Sequence, residues 1–277
     1  MGADPMILTG AFIVGVASGA LINFVIWTFR AHDRPQDVPE SKDKAWFAND
    51  VPECTKCGTA LKRRQTSGVI ALVSGMHRCA KCGRPLFVPK LLIEVICGAV
   101  WLASVYILGA TLSALTVAAY GTLLLGIAIA DFRSWLIPHE FTWIGIILSL
   151  GLSLSRGITG LINAALGTLV GPAIFFVVAW LVAKLKRISV SEALGGGDYW
   201  LIAMIGGFVG WKMVPVAIVL SAVTGLVIFL PWVIRATLRH TESPKIPFGV
   251  FLALGGAATL LVGERLVSWY GHWALRQ

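Results

Sequence analysis

Four cysteines fall into two Cys-x-x-Cys pairs, Cys54-Thr55-Lys56-Cys57 and Cys79-Ala80-Lys81-Cys82, separated by 21 residues. Each pair can turn two sulfurs toward one ion, and four thiolates together suit tetrahedral zinc. Gly58 and Gly83 follow the pairs directly and permit the tight turn that such a knuckle needs. A shell of four sulfurs leaves no position for water, so the expected zinc is structural. Two disulfides are the competing reading, and a reducing compartment argues against them. His77 could replace one ligand, but with four cysteines present a surface histidine is the simpler account. Cys97 lies in an apolar run and reads as a small buried residue.

The second set of reactive groups is acidic. Asp131 closes an apolar segment, and Asp198 follows the triple glycine Gly195-Gly196-Gly197 at the mouth of another. An isolated aspartate at a helix boundary is ordinarily an interfacial cap. The glycines change that expectation, because backbone without side chains lets an extended strand approach the carboxylate. Two aspartates converging there would share one proton, one acting as general base toward water and the other as general acid toward a peptide carbonyl. Glu94 is the competing acid, with a structural and a substrate-contact role both open, and Glu264 is expected on the opposite side.

These groups sit in a chain that is 57% hydrophobic and 13% charged over 277 residues, with mean hydropathy +0.80. That excludes a soluble globular domain, a disordered chain and a disulfide-stapled module. Residues 7–29 are uncharged and suffice for one crossing, with neither the basic region nor the cleavage site of a signal peptide, so a retained anchor is expected. Residues 95–130 are uncharged too, too long for one crossing, and must fold back near Leu108-Gly109-Ala110-Thr111. Further apolar runs cover 141–155, 157–183, 199–211, 213–234 and 246–270. The expectation is an all-α polytopic membrane protein of about eight transmembrane helices: a first helix in 1–31, a cytoplasmic zinc-knuckle loop in 32–89 and a seven-helix core in 90–277. The run at 199–211 is short for a crossing, so its helix must begin at Asp198 or earlier or lie partly in a protein-lined cavity.

Charge orients the helices. The net charge of +9 would point a soluble protein toward nucleic acid, but here the basic residues fall in loops. Eight alternating crossings place nineteen of the 23 basic residues, among them Arg133, Lys184, Lys186, Arg187, Arg235, Arg239 and Lys245, on the side of the cysteine loop. By the positive-inside rule that side is the cytoplasm, and the partner of the basic loops is the lipid bilayer, not nucleic acid. Asp131 and Asp198 fall on the same side. An alternative function for the same aspartates is a proton- or metal-coupled transporter.

Taken in order, the motifs resemble the type IV prepilin peptidases (prepilin leader peptidase/N-methyltransferases), membrane aspartic proteases of the Gly-x-Gly-Asp kind. The resemblance rests on Gly195-Gly196-Gly197-Asp198, Asp131 with its trailing Leu136-Ile137-Pro138 and Thr142, and the paired-cysteine loop. Ser18-Gly19-Ala20-Leu21-Ile22-Asn23 and Ile246-Pro247-Phe248-Gly249 add to it, and together they cover nearly the whole chain. It implies removal of the basic leader from type IV prepilins or pseudopilins at the cytoplasmic face of a bacterial inner membrane. It also implies methylation of the new amino terminus with S-adenosylmethionine. The chain departs from the family pattern at Trp200, where lysine is frequent, at Ala20, and at Val250, where proline is frequent.

Overall fold

The computed structural model describes residues 4–29, 54, 56–238 and 247–274. Residues 32–53 of the insertion, with Thr55, Arg239, Lys245 and Ile246, lie outside them. The described chain is helical apart from one isolated bridge between Arg78 and Pro85. It forms two compact units, Met1–Thr122 and Leu123–Gln277.

In the first unit α1 (Pro5–Phe29) runs along α3 (Val88–Leu108). Gly15 and Gly19, four residues apart on α1, face Cys97 and Glu94 of α3, and a Cβ on Gly15 would stand 2.6 Å from the Cys97 carbonyl. Small residues at this spacing let two helices approach to backbone contact where no water drives them together. Cys97 is fully buried there, as its apolar setting implies. The expected reversal occurs where glycine permits it: α3 ends at Leu108, Gly109 takes φ +72°, and α4 (Leu112–Ser134) begins.

Between α1 and α3 stand the cysteine knuckles, a 3-10 turn (Arg63–Gln65) and α2 (Gly68–Val73), whose first turn is capped by Ser67 Oγ accepting from Ile70 N–H. A buried polar cluster ties this segment to the long helices. Both Glu94 carboxylate oxygens accept from α2, from Gly68 N–H at 2.8 Å and Val69 N–H at 2.7 Å. Asn23 Nδ2 of α1 donates to Glu94 Oε1 and to the Lys90 carbonyl, while Lys90 Nζ donates to the Gln65 carbonyl. Glu94, Lys90 and Asn23 are all fully buried. Of the two roles the sequence left open for Glu94, these bonds provide the structural one.

The second unit contains the end of α4, then α5 (His139–Leu154), α6 (Gly157–Lys186), α7 (Val190–Ala193), α8 (Gly196–Val209), α9 (Val214–Leu238) and α10 (Phe248–Ala274). α8 packs against α5, α6, α9 and α10 and is buried on nearly every side from Leu201 to Phe208. Gly167 and Gly171 of α6 lie on Gly206 and the Ile202 carbonyl of α8, and no room remains between Gly167 and Gly206 for a Cβ on either.

Among the described residues all eight apolar segments form helices, and six of these are long and apolar enough to cross a membrane. The exceptions are α5, with 16 residues, and α8, with 14. At 1.5 Å per residue α8 measures about 21 Å, short of a hydrocarbon core of about 30 Å. A helix this short is tolerated because protein, not lipid, surrounds it. The expectation that it begins before Tyr199 is met, since it starts at Gly196. The four-residue α7, held by a reciprocal capping box between Ser189 and Glu192, is an addition to the expected order.

Candidate functional site

Asp131 lies in the last turn of α4, 5% exposed. Its Oδ2 accepts from Val250 N–H at 3.0 Å, in the first turn of α10, where helix N–H groups have no partner within the helix. Asp198 is the third residue of α8, just past the N-cap Gly195, and is 9% exposed. Acidic side chains suit both positions, because a helix N-terminus presents donors and positive dipole charge. Both aspartates line one cavity of about 290 Å³, and their charges interact across it.

The segment after Asp131 completes the wall. Trp135 adopts a left-handed conformation, φ 57°, and its N–H donates to the Asp131 carbonyl, turning the chain back over the aspartate. Ile137 then wedges between two glycines. A Cβ on Gly197 would lie 2.9 Å from Ile137 Cβ, and one on Gly249 would lie 2.9 Å from Ile137 Cδ1 and 2.8 Å from Asp131 Oδ2.

The three glycines before Asp198 therefore have three different surroundings. Gly195 faces the Asp198 carboxylate, its would-be Cβ 3.1 Å from Oδ2. Gly197 is filled by this chain's own Ile137, so the close approach foreseen there is internal. Only Gly196 is open, with nothing within 4 Å of a would-be Cβ, and it lines the cavity. His139 also lines the cavity, and its ring meets Trp200 edge-on at 6.5 Å, with Trp143 stacked beyond at 4.5 Å. The sequence reading passed over His139. Its available signal was its place directly after Leu136-Ile137-Pro138, at the proline-capped start of α5. Glu264 is exposed on α10 and takes no part.

The four cysteines of the paired knuckles converge in the first unit. The knuckles are built alike: Cys54 N–H bonds the Thr59 carbonyl and Gly58 N–H the Cys54 carbonyl, as Cys79 N–H bonds Arg84 and Gly83 N–H bonds Cys79. Gly58 and Gly83 take φ +66° and +67°. The sulfurs stand 3.7 Å apart for Cys54–Cys82 and 3.6 Å for Cys57–Cys79, all within 4.8 Å of one another. Zinc–sulfur bonds of about 2.3 Å in a tetrahedron put sulfurs about 3.8 Å apart, whereas a disulfide needs about 2.05 Å. The donor set fits zinc. The Thr59 hydroxyl against Cys57, together with the Thr59 backbone, pulls the Cys57 thiol down to about 6, toward the thiolate that binds metal.

The sequence comparisons bear on both regions. Residues 117–230 match the model of the type IV leader peptidase family, and residues 13–108 match that of the bacterial peptidase A24 N-terminal domain. The chain belongs to the type IV leader peptidase family. It is 28% identical to a prepilin leader peptidase/N-methyltransferase of Burkholderia pseudomallei, over 93% of this chain and 86% of that protein. Proteins of the same description from Pseudomonas putida and Stutzerimonas stutzeri are 24% and 27% identical, over 94% and 95% of this chain and 92% and 93% of theirs. No solved structure gives a significant match. Asp131, Asp198 and the glycines around them fall in the leader-peptidase match, except Gly249, which lies beyond its end; the knuckles fall in the N-terminal match.

Proposed function

We propose that this leader peptidase removes the basic leader of type IV prepilins or pseudopilins at the cytoplasmic face of a bacterial inner membrane and then methylates the new amino terminus. The observation that carries the reading is the shared cavity of Asp131 and Asp198, set where two helix N-termini meet the end of α4. Family membership and the relatives' description support both activities.

Two carboxylates facing one cavity hold a single proton between them. The ionised member takes a proton from water as its oxygen attacks the scissile carbonyl, and the protonated member donates to the carbonyl oxygen. The tetrahedral intermediate collapses when the nitrogen of the leaving amine receives a proton and the carbon–nitrogen bond breaks. Val250 N–H holds Asp131 Oδ2 and so fixes the carboxylate at the cavity wall. Open Gly196 gives an extended substrate backbone room beside Asp198. A prepilin's apolar helix reaches this position by lateral diffusion, its basic leader staying among headgroups.

Cys54, Cys57, Cys79 and Cys82 hold a structural zinc that clamps the knuckles and takes no part in proteolysis. S-adenosylmethionine supplies the methyl group when bound. The chain has no Gly-x-Gly-x-x-Gly loop, and no residue is assigned to that donor.

Incubating the purified protein with a prepilin and S-adenosylmethionine, then measuring intact masses, tests both activities. Loss of the leader followed by gain of one methyl group is expected. An unchanged prepilin mass with zinc-loaded, folded protein overturns the reading.

A further inference from the structure

α2 is only six residues long, Gly68 to Val73, and three of its four large apolar side chains point outward: Ile70 is 49% exposed, Leu72 46% and Val73 84%. A water-exposed loop gains nothing from such a surface. Its position explains it. The Gly68 and Val69 N–H groups are bonded to Glu94, and Gly68 lies on the backbone of Leu91, so α2 is fixed against α3. α3 has 21 residues, about 31 Å, and needs all of them to cross a hydrocarbon core of about 30 Å. Glu94 stands six residues after Val88, about 9 Å along that axis. With α3 crossing from its first residue, the start of α2 falls below the headgroups.

The polar surroundings agree with that depth. Glu94 is bonded to α2, Lys90 to the 3-10 turn and Asn23 Nδ2 to Lys90 and Glu94 of α3, all three residues being buried, as suits a place where water is scarce. Beside the apolar face, Arg64 joins Val69, Ile70, Val73 and Ser74 around a groove of about 370 Å³. Apolar surface with the Arg64 cation at its edge is complementary to an anionic phospholipid.

We propose that α2 is a re-entrant segment seated at the headgroup–acyl boundary, where its groove holds an anionic phospholipid. The acyl chain lies along Ile70 and Val73, and the phosphate pairs with Arg64. The leader of a substrate is basic, so it does not match the charge of this groove. The site is independent of the aspartates.

The test is photocrosslinking of the full-length, zinc-loaded protein in vesicles of phosphatidylglycerol and phosphatidylcholine. Benzoylphenylalanine is placed at Val73, with Ile96 on α3 as the lipid-facing reference and Lys81 as the exterior one. Val73 is expected to give lipid adducts at a yield near that of Ile96, with phosphatidylglycerol labelled at least threefold over its share. Arg64→Gln should erase that preference and leave total lipid labelling unchanged. A Val73 yield no higher than that at Lys81, or an adduct with the mass of a polypeptide, overturns the proposal. Equal labelling of the two lipids by the unaltered groove overturns the anionic assignment. Zinc content and prepilin cleavage, measured on the same samples, report separately on folding and on the peptidase reading.

Discussion

Val250 donates its backbone N–H to Asp131 Oδ2 at 3.0 Å across 119 residues of sequence, so the N-terminus of α10 holds a carboxylate from the end of α4. An asparagine retains an oxygen for that bond but can neither accept a proton from water nor release one to an amine. Asp131→Asn and Asp198→Asn are each expected to lower kcat about a thousandfold or more, with helicity and zinc content unchanged. For the unaltered enzyme, cleavage against pH should be bell-shaped, falling when both carboxylates are ionised and when both are protonated. Substantial cleavage by either single variant would end the two-aspartate mechanism.

The glycines supply a graded series. Gly249→Ala and Gly197→Ala push a methyl group into Asp131 and Ile137 or into Ile137 alone, at 2.8 to 2.9 Å. Each is expected to reduce kcat/KM by tenfold or more by displacing the wall of the site. Gly196→Ala meets nothing within 4 Å and should fold normally. Gly196→Val narrows the cavity and should raise KM for prepilin more than it lowers kcat. Steady-state kinetics on the four variants separate these outcomes, and equal damage in all four would contradict the packing described.

One zinc ion per chain is expected by metal analysis of reduced protein. The Thr59 hydroxyl, 3.2 Å from Cys57 Sγ, supports the thiolate ligand. Thr59→Val should weaken zinc binding about tenfold in competition with a chelator at fixed pH. Cys57→Ser should speed proteolysis within 56–87, while cleavage by the aspartates persists in the molecules that stay folded. Unaltered zinc affinity in Thr59→Val would remove the supporting role.

Glu94→Ala leaves the Gly68 and Val69 N–H groups without their acceptor and removes one of the two bonds of Asn23 Nδ2. The cost is about 1–3 kcal/mol for each buried donor. Thermal unfolding should shift down markedly, the segment around α2 becoming protease-sensitive first. A variant as stable as the parent would show that the cluster carries no such weight.

At the helix crossing, Gly206→Ala has no room against Gly167, whereas Gly151→Ala on α5 meets nothing. The first should destabilise by more than the usual 1–3 kcal/mol of overpacking, because backbone must move, and the second should be neutral. Because α8 carries Asp198, loss of activity in Gly206→Ala should accompany the loss of stability.

Much of this architecture is legible in residue types. The cysteine spacing leads to the four-sulfur cluster, and the 36-residue apolar run forces the reversal that Gly109 makes. What escaped was decided by tertiary packing. Nothing local distinguishes Gly196 from Gly197, since the difference is Ile137 arriving from 60 residues earlier. The role of Glu94 depends on α2 folding back against α3, and α7 is too short for any periodicity to register. Apolar composition counted α5 as a crossing although it has 16 residues, and the shortness of α8, visible in the sequence, is met by burial.

The other short helix has no such shelter on its outer side. Along α5, Trp143, Ile144 and Ile147 are 48%, 50% and 66% exposed, on a helix of 16 residues, about 24 Å. Lipid beside that face must compress by about 6 Å to match it. The strain of such a match falls next to His139, which lines the cavity of the aspartates. Vesicles with fourteen-carbon tails are therefore expected to fit that face better than vesicles with twenty-carbon tails.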